Sequence, residues 1–394
     1  MRLHALLCAV GLLACDSEPF ISDSGTGGSG GSAAGGGSAV GGGSAVGDLL
    51  IAIPGAAPYD TWTFIQIPGM VCADGTPTGI AINPHAGSTR LFFYLQGGGR
   101  CSTYQQCFVD LDATHLDGYG PQQFNIEKAL VLNRGTFQRT NAVNPFRDFN
   151  YVYVPYCTGD FHMGNRVTSY LADGGAVIHH VGAANVDAIL TRVAPTFANA
   201  TQLVVAGSSA GGFGAPWNLT RVASKWNPSV DLVLIDDSGP YLSEPYFTRA
   251  VFEELEQRFG FSTTVPGCTQ CKPDAGGFSP IYRYNVAQYP NHRGALISSK
   301  RDTSISTGLA KPPGNPNLAC DADGGGPCEF EAGLLAHVGG PLADAGYKAY
   351  IINGADHVWL SSPAGSVTSG GVPLSAFLNR QLNNDPQWRS VVPP

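Results

Sequence analysis

Val204-Val205-Ala206-Gly207-Ser208-Ser209-Ala210-Gly211-Gly212 joins an apolar run, Leu203 to Ala206, to a helix-like segment from Phe213 to Trp226. A strand that stops at a glycine, turns through a serine and reopens as a helix has the spelling of a nucleophile elbow. Such a turn forces the serine backbone into a sparsely allowed conformation, and small residues at Gly207 and Gly211 leave room for strand and helix to close on it. Ser209 is therefore the candidate nucleophile, placed ahead of a helix start that favours negative charge. The alternative is a structural glycine–serine turn. The same Gly-x-Ser-x-Gly spelling occurs at Gly27-Gly28-Ser29-Gly30-Gly31, within a tract unsuited to strand or helix, so context rather than spelling singles out Ser209.

Upstream, Leu3 to Ala14 is a short apolar run behind Arg2, ending Leu12-Leu13-Ala14-Cys15. It is too short to remain as a membrane-spanning helix. It resembles a bacterial lipoprotein signal over residues 1–15, in which Cys15 is lipidated; an ordinary secretory peptide with an incidental cysteine is the alternative. Residues 16–48 are nearly pure Gly, Ser and Ala, with Gly-Gly-Gly-Ser-Ala-Val at 35–40 and again at 41–46. Such a segment buries too little surface to fold and reads as a tether. Residues 49–394 form the body, in which no segment is long and apolar enough to be a transmembrane helix. The expectation is an exported protein of the cell envelope, held to a membrane through Cys15 and otherwise secreted.

The chain is poor in charge (13%), carries a formal net charge of −8, and holds 52 glycines and 28 prolines. That balance argues against a nucleic-acid partner; a monomer is expected. Besides Cys8 and Cys15, the cysteines are Cys72, Cys101, Cys107, Cys157, Cys268, Cys271, Cys320 and Cys328. An even set in an exported chain reads as a disulfide framework stapling long loops. Cys101–Cys107 and Cys320–Cys328 are close enough to close small loops. Cys268-x-x-Cys271 has redox or half-zinc-site spacing, but no second CxxC or His-x-x-x-His completes a metal cluster, so a staple is the simpler reading.

Candidate strands are Thr63–Ile67, Gly79–Ile82, Arg90–Leu95, Tyr151–Val154, Leu203–Ala206, Asp231–Ile235, Ala295–Ser298 and Lys348–Ile352. Candidate helices are Ala183–Val193, Gly212–Lys225, Pro245–Arg258 and Phe330–Ala345. Several strands are continuously apolar, as strands buried on both faces should be. The alternation predicts an α/β fold, a mostly parallel sheet flanked by helices, with ligands gathered at the strand carboxyl ends.

A serine hydroxyl needs a base, and the base needs an orienting acid. When the parts come in the order serine, acid, histidine, only His292, His337 and His357 qualify as the base. His337 lies in a helix-like stretch and His292 precedes a strand, whereas His357 follows the last strand in Ile352-Asn353-Gly354-Ala355-Asp356-His357. For the acid, Asp302 follows Ala295-Leu296-Ile297-Ser298-Ser299-Lys300-Arg301, and Asp237 after Asp231–Ile235 is the competitor. Asp356 is too near His357 in sequence to reach its far nitrogen easily. Oxyanion donors would come from the amide of Ala210 and from the glycine-rich loop Leu95-Gln96-Gly97-Gly98-Gly99-Arg100-Cys101.

These segments together resemble one family. Leu95 to Cys101 with Cys107 is similar to the Leu-Glu-Gly-Gly-Gly-Trp-Cys…Cys segment of pectin acetylesterases, and Pro155-Tyr156-Cys157-Thr158-Gly159 to their Tyr-Cys-Asp-Gly. Gly207 to Gly212 matches their serine elbow, and Asp236-Asp237-Ser238-Gly239 resembles their Asp-Ala/Ser-Gly. The resemblance runs from about Thr63 to Leu360. It implies a carboxylesterase of the pectin acetylesterase and Notum type with an α/β-hydrolase-like fold, no metal and no cofactor. It implies Ser209 as nucleophile, His357 as base, Asp302 as its orienter, and amides of Gly98, Gly99 and Ala210 at the oxyanion. It further implies a structural or supporting role for Asp237, makes a Cys72–Cys157 bridge conceivable, and points to acetyl esters on a polysaccharide such as pectin. Gln96 and Arg100 depart from the pattern; Arg100 in place of an aromatic would favour a carboxylate or other polar group over a sugar face or acyl chain. A lipase-like or long-chain deacylase activity, with Tyr241–His292 as lid or pocket wall, and a non-catalytic surface carbohydrate-binding protein are the competing readings.

Overall fold

The computed structural model describes residues 57–321, 328–363 and 365–394. Cys15 and the 16–48 tether lie outside the described residues. The strands are β1 (Thr63–Val71), β2 (Pro77–Asn83), β3 (Arg90–Leu95), β4 (Asn150–Val154), β5 (Arg166–Ser169), β6 (Val177–His180), β7 (Gln202–Ser208), β8 (Asp231–Asp237), β9 (Arg293–Ser299), β10 (Lys348–Ile352) and the short pair β11 (Thr368–Ser369) and β12 (Val372–Pro373). Eight of them form one sheet in the order β1-β2-β4-β3-β7-β8-β9-β10, and β5 pairs with β6 as a separate hairpin. Every pairing from β4 across to β10 is parallel, while β2 runs antiparallel to both β1 and β4.

Each predicted strand segment falls on a strand of this sheet. The continuous apolar runs are two-sided burial made visible: in β3, Leu91, Phe93 and Leu95 enter one core while Phe92 and Tyr94 enter the other. Trp62, Phe92, Tyr94, Phe137, Tyr151 and Tyr153 pack edge to face and stacked in the second core.

The helices are α1 (Pro121–Leu130), α2 (Gly182–Thr196), α3 (Ala210–Ala223), α4 (Arg249–Phe259), α5 (Pro280–Gln288), α6 (Thr303–Ala310), α7 (Glu329–His337) and α8 (Leu374–Leu382). Two expectations are corrected. The helix read from Pro245 begins at Arg249, because Thr248 is still extended. The helix read over Phe330–Ala345 leaves regular α geometry after His337, where a wider turn at Val338–Leu342 accommodates Gly339-Gly340-Pro341.

From β3 the chain goes to β4 on one side and only later to β7 on the other. Such a reversal opens a crevice outside the carboxyl ends of the strands. The triple-glycine loop leaves β3 there, Ser209 leaves β7, Asp237 ends β8, Asp302 follows β9 and His357 follows β10. Four disulfides hold the surrounding loops: Cys72–Cys157, Cys101–Cys107, Cys268–Cys271 and Cys320–Cys328.

Candidate active site

Ser209 heads α3 with φ 57° and ψ −121°, a backbone conformation that side chains larger than glycine rarely adopt. What holds it there is the close approach of three main-chain segments. A Cβ on Gly207 would lie 2.1 Å from Gly211 O, and one on Gly211 would lie 2.0 Å from Leu95 O. The Ser209 amide donates to Asp237 O at 2.7 Å, pinning the turn to the end of β8. Ala210 is the first residue of the helix, where amides have no intrahelical acceptor.

The triple-glycine loop lies directly against this turn. A Cβ on Gly97 would stand 2.7 Å from Ser209 Cβ and 2.4 Å from Ser208 O. Gly98 and Gly99 have φ 151° and 76°, and a Cβ on Gly99 would lie 1.9 Å from Asp112 O. Thr114 N donates to Gly98 O at 2.8 Å, Cys101 N donates to Gly159 O at 3.1 Å, and Cys101 is bonded to Cys107.

Gln96, one of the departures, ties the loop on three sides. Its Nε2 donates to Glu127 Oε1 at 2.5 Å, its Oε1 accepts Tyr156 N at 2.9 Å, and its carbonyl lies 2.8 Å from His162 Nε2. Burial pushes the His162 imidazole down to about 4, so at neutral pH it is an uncharged donor to that carbonyl. Glu127, 3% exposed, also accepts the hydroxyls of Tyr119 and Tyr153. Arg100, the other departure, is 6% exposed, and its guanidinium donates inward to Ser102 Oγ and to Gly308 O.

His357 Nδ1 and Asp302 Oδ2 are 2.7 Å apart. Asp302 is fully buried, and its other oxygen accepts Ile305 N at 3.0 Å as the cap of α6. The helix start thus orients the carboxylate that faces the imidazole. The two loops are laced together by main-chain bonds, Lys300 N to Ile352 O, Arg301 N to Gly354 O and Thr303 N to Ala355 O. Burial disfavours the charged form of His357, but Asp302, by charge and hydrogen bond, and the charge of Asp237 outweigh it and raise the pKa above its ordinary value.

Asp237, the competing acid, is also buried here, but its carboxylate accepts Ser208 Oγ and the amides of Trp359 and Leu360 rather than the imidazole. His292 lies at the start of β9, bonded to Tyr289 O and Tyr347 OH, and His337 is packed in the core against Tyr282. Trp217, Tyr241 and Phe161 are core residues, Tyr104 is exposed, and Tyr246 and Trp359 are half-buried. Within the segment Tyr241–His292, Phe261 and Phe278 are buried against Trp217, Phe278 also meets Tyr241, and the buried Phe247 and Phe252 pack on Phe278. Sequence reasoning missed Glu127, Asp160 and His162; Asp160 takes Thr158 Oγ1 and the amides of His162, Gly164 and Gly182, organising the loop after β4. An acidic residue two positions before another polar one is too common a pattern to single it out.

Among known proteins, the chain is 28% identical over 193 residues to palmitoleoyl-protein carboxylesterase notum2 of Xenopus laevis, covering 45% of this chain and 36% of that protein. It is 26% identical over 196 residues to palmitoleoyl-protein carboxylesterase NOTUM of Homo sapiens, again 45% and 36%. The Drosophila melanogaster NOTUM is 24% identical over 204 residues, 49% of this chain and 29% of its own. The matched regions span about a third of the length of these relatives. The pectinacetylesterase family profile matches residues 60–294, which include the triple-glycine loop, Ser209 and Asp237 and end before Asp302 and His357. On that match, and on a parallel sheet whose carboxyl edge carries the glycine loop and the serine turn, the chain belongs to the pectinacetylesterase family.

Proposed function

We propose that this chain is a serine carboxylesterase that removes short acyl groups, acetyl foremost, from a polysaccharide such as pectin. The observation that carries the reading is convergence. A serine held at φ 57° against the Gly97 main chain shares one sheet edge with an imidazole 2.7 Å from a buried carboxylate.

In this mechanism Asp302 keeps the proton on His357 Nδ1, so Nε2 is the free base. Nε2 takes the Ser209 hydroxyl proton as the serine oxygen bonds to the ester carbonyl carbon. The amides of Gly98, Gly99 and Ala210 receive the negative charge that develops on the carbonyl oxygen. Collapse breaks the bond to the alcohol oxygen, which leaves with the proton from His357. Water, deprotonated by the same nitrogen, then attacks the acyl-serine, and release of the carboxylic acid restores the free hydroxyl.

A second reading, a long-chain deacylase, is favoured by the names of the relatives. Hydrolysis of p-nitrophenyl esters of graded length, beside acetylated pectin and acetylated xylan, separates the two. Ser209→Ala is expected to abolish turnover of p-nitrophenyl acetate while the chain stays folded; retained turnover would exclude the nucleophile. Four disulfides support an oxidising compartment. Anchoring through Cys15 is expected to appear as incorporation of labelled fatty acid, lost in Cys15→Ser.

A further inference from the structure

We infer that Asp237 is the positioning residue of this centre: a second buried anion that splints Ser209 to the His357 loop and faces the imidazole when it takes the proton. The inference rests on the proposed esterase mechanism.

Its geometry is that of a hub. The Asp237 carbonyl accepts the Ser209 amide at 2.7 Å, and its carboxylate accepts Ser208 Oγ at 2.6 Å on the same turn. The same carboxylate accepts Trp359 N at 2.9 Å and Leu360 N at 2.9 Å, two and three residues beyond His357. The next residue, Ser238, continues the splint: its amide donates to Ile297 O of β9, and its hydroxyl accepts Val358 N at 3.3 Å. One dipeptide therefore spans the strands that deliver the hydroxyl, the carboxylate and the imidazole.

The charge has no other evident purpose. Oδ2 is filled by one O–H and two N–H donors, which favour the ionised form, while burial, the larger effect, holds the carboxyl above its ordinary pKa. Among the described residues no Lys, Arg or His nitrogen lies within 4.0 Å of it. A fully buried carboxylate without a cation is costly to ionise, and a positive charge appearing nearby favours its ionised form. His357 is where that charge appears, and the two groups interact electrostatically. Asp302 is the other acid facing His357, and Tyr94 and Asp236 are the ionisable groups facing Asp237. Lys300, Arg301 and Asp356 lie on the adjoining loops, with Arg301 3.6 Å from Glu331.

The test compares Asp237→Asn with Ser208→Ala and Ser209→Ala in the full chain, reading kcat, KM and the pH profile of kcat/KM on p-nitrophenyl acetate, with thermal unfolding as the fold check. An asparagine keeps one acceptor oxygen for Ser208 Oγ and the Trp359 and Leu360 amides, removes the charge, and sets an NH2 donor where Oδ1 accepts Trp359 N and Ser238 Oγ, which is why the fold check accompanies it. Asp237→Asn is expected to fold, to lower kcat at least about tenfold with little change in KM, and to move the acid limb to lower pH by about half a unit or more, since His357 loses an anionic neighbour. Ser208→Ala removes a neutral donor and is expected to leave that limb in place. The inference falls if Asp237→Asn keeps the wild-type limb, or if both variants shift alike, which would make Asp237 a splint only. Should Asp237→Asn fail to fold, Ser238→Ala, which frees Val358 N without touching the charge, is expected to lower kcat and leave the limb unmoved; unchanged kcat overturns the splint. If Ser209→Ala retains turnover, the esterase mechanism itself fails, an outcome distinct from all of these.

Discussion

Asp302 caps α6 with one carboxyl oxygen and meets His357 Nδ1 at 2.7 Å with the other, so a helix start and an imidazole share one buried side chain. In the proposed mechanism the proton that Asp302 holds on Nδ1 leaves Nε2 as the free nitrogen. On the proposed mechanism Asp302→Asn is expected to lower kcat by about 10⁴-fold, as replacing the orienting acid by asparagine does in a serine protease triad. The pH dependence follows from the raised pKa of His357. The base must be neutral, so kcat/KM should fall as pH drops through a midpoint above about 6.5. In Asp302→Asn the residual activity should show that midpoint at lower pH. For stability the sign is opposite: the raised folded pKa contributes below about pH 6.5 and is lost as pH rises through it.

Gly211→Ala sets two effects against each other. Alanine is the better helix former by about 1 kcal/mol, but its Cβ would lie 2.0 Å from Leu95 O and 2.6 Å from Leu95 C, main-chain atoms of the β3 end that cannot rotate away. The clash is expected to win, lowering Tm and abolishing labelling of Ser209 by a fluorophosphonate. A variant as stable and reactive as wild type would show that the turn is looser than its contacts imply.

Gln96→Glu would set a second acidic side chain 2.5 Å from Glu127 Oε1, in a buried site where the Glu127 oxygen already lies 3.7 Å from His115 Nε2. Burying an unmatched charge costs about 2–4 kcal/mol, so denaturant midpoint and activity should both fall. Adding Glu127→Gln restores one neutral partner and is expected to recover most of both. Absence of recovery would break the link between Gln96 and Glu127.

His337 is 2% exposed, neither ring nitrogen has a hydrogen-bond partner among the described residues, and burial pushes its pKa down to about 3. The unfolded chain takes up a proton near pH 6.5 that the folded chain refuses, so this residue withdraws stability as pH falls from about 6.5 toward that value. At pH 5 the loss is about 2 kcal/mol. His337→Leu is expected to lose less stability than wild type between pH 7.5 and pH 5, read from urea midpoints; parallel losses would contradict it.

Cys72 and Cys157 are joined across a sequence separation of 85, linking the end of β1 to the loop after β4. Closing a loop of that length in the unfolded chain is worth about 4–5 kcal/mol on the chain-entropy account. Replacing both by alanine should lower Tm more than replacing Cys268 and Cys271, which close a separation of 3. The ordering of the two Tm values is the measurement.

Much of this architecture is written in local pattern. Phe92 and Phe93 are both buried because β3 is covered on two faces, and two-sided burial spells a continuous apolar run that needs no tertiary knowledge to read. Ser209 was legible because strand, turn and helix are contiguous in sequence. α8 was missed although its buried residues Leu374, Phe377, Leu378, Gln381 and Leu382 keep helical spacing, so a signal was present. α6 carried almost none: Thr303-Ser304-Ile305-Ser306 is a weak helix former, and the helix stands because Asp302 caps it and the core receives Ile305 and Leu309.

The amino-acid order by itself determined the inventory: a hydroxyl at a strained turn, acids and histidines after later strands, glycines where main chains must touch, and cysteines in pairs. Only the tertiary structure decided which acid meets His357 and which instead accepts the amides of Trp359 and Leu360. Asp302 and Asp237 lie 55 and 120 positions from it (357 − 302 and 357 − 237), and local patterning carries no information across such separations. Strand order does, because adjacent parallel strands deliver their ends to one edge while a helix start or a backbone amide claims each remaining lone pair.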